Sequence, residues 1–312
     1  GLLVVAFAPN YPTLVVGGVM IGACNGVMDV AMNALGVDAE RASGTAVMSR
    51  FHAFFSLGGF LGALLVMGSA KLQGGDGADP RWALVAAAIF AGAGLTALFA
   101  LTPQAPHVED STDDAAPISP RSGNAPPRPG IPPQAWLLGV MALFFGFTEG
   151  TAIDWASIHV TDVAHVDPGV GAAGLVCVSA TMVVIRLLGD SLVARFGRAA
   201  VVRFGAPVAV AGFGVVITTS SLPLILVGWL LVGLGVGMIA PQIYAIAGHI
   251  GGGRVLAIVT AFGYTAFLAG PGIIGFLSNH FGIQRAMILP FVAGLLLTGL
   301  TFTAALRDPQ ES

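Results

Sequence analysis

The chain has 312 residues, of which 55% are hydrophobic and only 9% charged, with a mean hydropathy of +0.87. Soluble domains carry charge on about a quarter of their residues, so this composition excludes a water-soluble globular protein and indicates a polytopic membrane protein. The net charge of −3 says little by itself, because in such proteins the location of charge outweighs its sum.

Residues 1–8 are too short to cross a bilayer and end at Pro9-Asn10-Tyr11-Pro12, a turn signal. The chain starts at Gly1, already within apolar sequence and without a signal-peptide pattern, and is expected to be truncated. Residues 14–35 form the first complete span, and they contain Asn25, Asp29 and Asn33. Steps of four put these three side chains on one helical face, with Gly22, Gly26 and Gly36 beside them. A carboxylate at bilayer depth costs roughly 2.5–3.5 kcal/mol on the insertion scale, so Asp29 should not face lipid. It reads as part of the wall of a polar cavity, against the plainer alternative of a structural hydrogen-bond cluster between helices. Residues 36–50 read as a polar loop, 46–70 as the next span, 71–81 as a short loop and 82–101 as a third span. His52 starts its span near the depth of Asp29, where a bond to backbone competes with a His-Asp relay.

Residues 102–134 change character: they are rich in proline and carry Glu109, Asp110, Asp113 and Asp114. Such a segment buries too little apolar surface to fold and reads as a linker. Six spans follow, near 135–158, 171–192, 199–220, 222–247, 255–278 and 285–306. The expected organisation is therefore 1–101 as one helix bundle, 102–134 as linker and 135–312 as a second bundle. Placing the linker in the cytoplasm puts ten of the thirteen basic residues inside or at the inner boundary, Arg186 among them, and leaves only Lys71, Arg81 and Arg285 outside; the positive-inside rule favours this arrangement.

Within 135–158, Glu149 lies roughly 21 Å from the inner end at 1.5 Å per residue. It reads as a protonatable group or a hydroxyl acceptor in a central cavity, or else as a neutral buried carboxyl. Asp154, beside Trp155, lies nearer the outer interface. Gln242 and Tyr244 sit where they offer hydrogen bonds to a polar ligand, with Pro241 able to kink the helix. Cys24 and Cys177 lie inside apolar runs, and six histidines are scattered without ligand spacing. No metal, cofactor or nucleic-acid partner is expected. Nor is an enzyme, since no nucleophile-base pair or phosphate loop is present.

A gap-free shift of 211 superposes Pro12 on Pro223, Gly17 on Gly228, Gly22 on Gly233, Gly26 on Gly237, Phe51 on Phe262, Leu57 on Leu268 and Gly59 on Gly270. Parallel six-helix repeats around a linker are the architecture of secondary transporters. By that register the first bundle lacks two helices and most of a third, and the segment alone is expected not to transport. The chain thus resembles the major facilitator superfamily over essentially its whole length. Asn25-Gly-Val-Met-Asp-Val-Ala-Met-Asn33, Ser49-Arg-Phe-His-Ala-Phe-Phe-Ser-Leu-Gly-Gly59 and Glu149-Gly-Thr-Ala-Ile-Asp-Trp155 are similar to a bacterial branch related to fucose permeases. The resemblance implies an all-α fold of two six-helix bundles and alternating access. It also implies a conformational loop whose signature survives in part: Arg195, Gly197 and Arg198 match its tail, while Ala194 stands at its Asp position and Asp190 lies one turn earlier. A contact from Asp190 to Arg195 or Arg198 is expected there. The function implied is secondary transport of a small polar, sugar-like solute coupled to protons, by a monomer in the lipid bilayer of the inner cell membrane. Efflux of amphipathic compounds and a nontransporting sensor are the alternatives.

Overall fold

The computed structural model describes residues 1–73, 79, 81–101 and 130–308, so most of the expected linker lies outside the described residues. Among these the secondary structure is helical throughout, with no strand. In chain order the helices are α1 (Leu2–Ala6), α2 (Tyr11–Ser43), α3 (Met48–Leu72), α4 (Arg81–Leu101), α5 (Pro133–Ala164), α6 (Pro168–Gly171), α7 (Ala173–Phe196), α8 (Arg198–Thr218), α9 (Leu222–Gly237), α10 (Ile239–Phe281), α11 (Ile283–Ala286) and α12 (Ile288–Leu300), closed by a 3₁₀ turn at Ala304–Leu306. Seven helical stretches among the described residues are long and apolar enough to cross a membrane. One of these, 222–281, is broken at Gly251 and Gly252, where Gly252 adopts φ +57°. With α3 added, every expected span has its helix.

Helix ends follow local chemistry. Asn10 accepts from the Thr13 N–H at 3.0 Å to open α2. Proline occupies the first turn of α5 and α9, where its missing N–H is no loss. Gly197 and Gly282, at φ +79° and +85°, allow the reversals after α7 and α10. The expected loop at 36–50 is shorter than its composition suggests: α2 runs on to Ser43, and the turn is confined to residues 44–47. The polar residues there belong to a helix end, because Glu40 turns back to accept the N–H groups of Val47 and Met48 at 2.8 and 3.0 Å.

The chain divides into two compact units, one of residues 1–23 and 64–130 and the other of residues 24–63 and 131–312. In the first, α1 packs on α4, and Gly17 of α2 lets the α1 backbone approach at Val5. In the second, α5 packs along α10, and α9 along α7 and α8. Lipid removes most of the hydrophobic drive between helices, so close backbone approach through small residues takes its place. A Cβ on Gly146 would stand 2.7 Å from the carbonyl oxygen of Gly263, one on Gly174 2.6 Å from that of Ala156, and one on Gly212 2.7 Å from that of Gly228. Phe145, Phe213 and Trp229 fill the core of this unit. Large apolar side chains such as Val184, Leu187, Leu188, Phe204 and Leu296 remain exposed on the outer faces, as lipid contact requires.

Candidate functional site

Two polar clusters lie inside the larger unit. The first is built about halfway along α2, α5 and α7. Glu149 and Arg186 are both buried, and Arg186 Nη2 donates to Glu149 Oε1 at 2.6 Å. The guanidinium also donates through Nε to the Gly237 carbonyl at 3.2 Å, and through Nη1 to the Ser56 hydroxyl. Burial of a charge is tolerated only with a partner and further hydrogen bonds, and this arginine has both. Arg186 is therefore a mid-span group, correcting its assignment to the inner boundary. Loop alternation says nothing of the depth of an arginine within its helix.

Beside this pair runs the α2 face read from the sequence. Asn33 is fully buried and donates from Nδ2 to the Asp29 carbonyl at 2.8 Å and to Asp29 Oδ1 at 3.2 Å. Its Oδ1 lies 3.0 Å from His52 Nε2, so His52 bonds the Asn33 amide beside Asp29, neither backbone nor Asp29 itself. Asn25 donates to the Tyr264 hydroxyl at 3.5 Å. Tyr264 faces the Asp29 carboxylate, and Tyr244 stacks on His52 with ring centroids 5.9 Å apart. The expected Asn25, Asp29, Asn33, Glu149 and Tyr244 thus share one neighbourhood. Asp154 does not join them; it is exposed one turn and more along α5 from Glu149.

Gln242 also falls elsewhere, into the second cluster. Its Oε1 accepts from Arg198 Nη1 at 2.8 Å and its Nε2 donates to Ser49 Oγ at 3.0 Å, with the side chain fully buried. Both ends of the amide are occupied by protein. Arg198, at the start of α8, also donates to Glu40 Oε2 at 2.6 Å and to Asp308 Oδ2 at 2.9 Å. His249 Nδ1 lies 3.1 Å from both Asp308 oxygens, and its Nε2 is 3.2 Å from Glu40 Oε2 without hydrogen-bond alignment. The Asp190 carboxylate accepts the backbone N–H of Ser49 at 2.9 Å and pairs with Arg50 Nε at 2.8 Å. Asp190 thus reaches across to the start of α3, while Arg195 lies over the Phe196 ring and Gly197 supplies the turn before Arg198. A polar pocket of about 710 Å³ opens here, lined by Thr45, Arg50, Asp190, Ser191, Arg198 and Asp308 among others.

The network at this arginine-rich end escaped the sequence reading in three members: Glu40, His249 and Asp308. Tyr264 and Ser56 escaped it in the first cluster. No group of metal-ligating side chains occurs among the described residues.

Comparison with known proteins agrees with this architecture. The sequence profile of the Major Facilitator Superfamily matches residues 1–252. The chain is 31% identical to an uncharacterized transporter, y4wD, of Sinorhizobium fredii, over 92% of this chain and 72% of the relative. It is 30% identical to an uncharacterized MFS-type transporter of Yersinia pestis, over 92% of this chain and 70% of that one. In three dimensions it aligns with the human organic anion transporter MFSD10 at a TM-score of 0.70 and 19% identity, over 96% of this chain and 73% of the other. That likeness is one of fold.

Proposed function

Because the chain belongs to the Major Facilitator Superfamily and is a multi-pass membrane transporter rather than an enzyme, we propose that it carries a small polar, hydroxylated solute through the cluster around Asp29 and Glu149, coupled to protons. The observation that carries this reading is the pairing of Glu149 with Arg186 at 2.6 Å in a site both carboxylate and guanidinium share with Ser56, Asn33 and Tyr244. Protonating Glu149 would cancel its hold on Arg186 and free guanidinium N–H donors for a solute hydroxyl. Deprotonation would restore the pair and expel the solute. Asp29, flanked by Asn25 and Asn33, supplies acceptors on the facing side. The likeness of 25–33, 49–59 and 149–155 to fucose permeases supports a hydroxylated solute. Efflux of amphipathic compounds is the second reading, and the apolar pocket lined by Met28, Met32, Phe51, Phe54 and Phe55 favours it; the charged and hydrogen-bonded groups at Asp29, Glu149 and Arg186 favour a polar solute.

The arginine-rich end is assigned to the cytoplasm of the inner cell membrane, by the positive-inside rule. There the Glu40–Arg198–Asp308 network acts as the closed inner gate, and its opening would admit the solute by rocking of two helix bundles. The test is uptake of a panel of labelled sugars and polyols by the natural protein, with and without a protonophore. Glu149→Gln and Asp29→Asn are measured in parallel. Protonophore-sensitive uptake that Glu149→Gln abolishes is expected. Unchanged uptake in both variants would remove these residues from the mechanism.

A further inference from the structure

Two carboxylates and one guanidinium meet in the mid-span cluster, and they do not cancel. Glu149 is matched by Arg186 at 2.6 Å. Asp29 is half-buried, and no basic side chain among the described residues lies within ion-pair distance of it. Its hydrogen-bond partners are neutral, the Asn33 amide at 3.2 Å and the Tyr264 phenol, while Arg186 acts on it only from a distance and is committed to Glu149. We propose that Asp29 is the binding site for an organic cation, a protonated amine carried on the hydroxylated solute; this rests on the transport reading above and names the solute's charge.

The surroundings of Asp29 fit an ammonium group. Tyr264 meets the carboxylate through its hydroxyl and Asn33 through its amide, so hydrogen bonds rather than an ion pair hold Asp29. An ammonium would add N–H donors of opposite charge to such an acceptor, the stronger kind of hydrogen bond. The Tyr244 side chain is 5% exposed, its hydroxyl makes no hydrogen bond among the described residues, and it stands within electrostatic reach of Asp29, Glu149 and Arg186. One turn before Tyr264 on the same helix, the buried Thr260 hydroxyl likewise has no partner among the described residues. An unpartnered hydroxyl within electrostatic reach of Asp29 is a position for a hydroxyl group of a ligand, and Tyr244 supplies it. An anionic solute would meet surplus negative charge. With Asp29 taken by the ammonium, the coupling proton falls to Glu149.

The experiment compares three ring isosteres, a hexose, the hexosamine and the hexuronate, for binding to the purified natural protein and for uptake into proteoliposomes at neutral pH. The ammonium form should bind at least about tenfold more tightly than the neutral sugar. Asp29→Asn should erase that ratio and Asp29→Glu should keep it. A neutral sugar bound and transported as well as the amine overturns the proposal while leaving the transport reading intact; so does a tenfold ratio that survives in Asp29→Asn. Should Asp29→Asn fail to fold, the wild-type ratio and Asp29→Glu decide alone. Transport of none of the three by folded protein overturns both readings.

Discussion

At Glu149 and Arg186, a charge pair has been taken out of water and then shielded by the Gly237 carbonyl and the Ser56 hydroxyl. Removing one partner of such a pair leaves an uncompensated buried charge, at a cost of about 3–5 kcal/mol, whereas removing both can be nearly neutral. Glu149→Ala is therefore expected to lower the unfolding temperature of the detergent-solubilised protein more than Glu149→Ala combined with Arg186→Met. Equal losses, or a larger loss in the double variant, would mean that the pair contributes little in place. The residue scale is also where the sequence was most uneven as a guide. The triplet Asn25, Asp29, Asn33 was legible because a fixed step of four in an apolar run forces a shared face. The pairing of Glu149 with Arg186 was not, because it joins α5 to α7 and depends on the relative depth of two helices. Gln242 was misread for the same reason: its helix was right, but the arginine that claims its amide comes from the start of α8.

Helices were the most legible level, since an apolar run of about twenty residues has few options in a bilayer. Their contacts are set by where glycine removes a side chain. Gly146 brings α5 to within 2.7 Å, at a built Cβ, of the Gly263 carbonyl in α10. A methyl group there must push the helices apart, an overpacking cost of about 1–3 kcal/mol. Gly26, by contrast, meets nothing within 4 Å. Gly146→Ala should lower the unfolding temperature and Gly26→Ala should leave it unchanged or raise it, the helix gaining from the better former. The same comparison separates a packing role for these glycines from a purely conformational one, in which both substitutions would shift stability alike. The repeat register carries the contrast further. Gly237, the 211-shifted counterpart of Gly26, lies against Ile185 of α7, where a Cβ would come within 2.6 Å. One sequence pattern therefore serves two different surroundings. A shared register does not report what packs on it.

For the molecule as a whole, the informative feature is that segments far apart in sequence are tied at one end by charge. Glu40 from α2, Arg198 from α8, His249 from α10 and Asp308 beyond α12 converge, and Arg50 of α3 joins through Asp190 of α7. Membrane-embedded apolar surfaces slide past one another at little cost, so a hydrogen-bonded ionic network is a stronger way to fix one arrangement of helices. It is also reversible, because every partner can be hydrated once water enters the adjoining pocket of about 710 Å³. If this network holds the inner gate closed, weakening it should shift the resting population toward an arrangement open at that end. Asp308→Asn keeps the shape of the side chain and removes its charge from both Arg198 and His249. A cysteine placed at Ser49, whose hydroxyl accepts from Gln242 within the network, reports access. Labelling of Ser49→Cys by a membrane-impermeant maleimide in inside-out vesicles should be slow in the otherwise native protein and several-fold faster with Asp308→Asn. Arg50→Gln should accelerate it as well, by releasing Asp190, though less, since the Arg50 side chain is 57% exposed and its pairing is already partly screened by solvent. A labelling rate that neither substitution changes would mean that the network braces the helices without gating them.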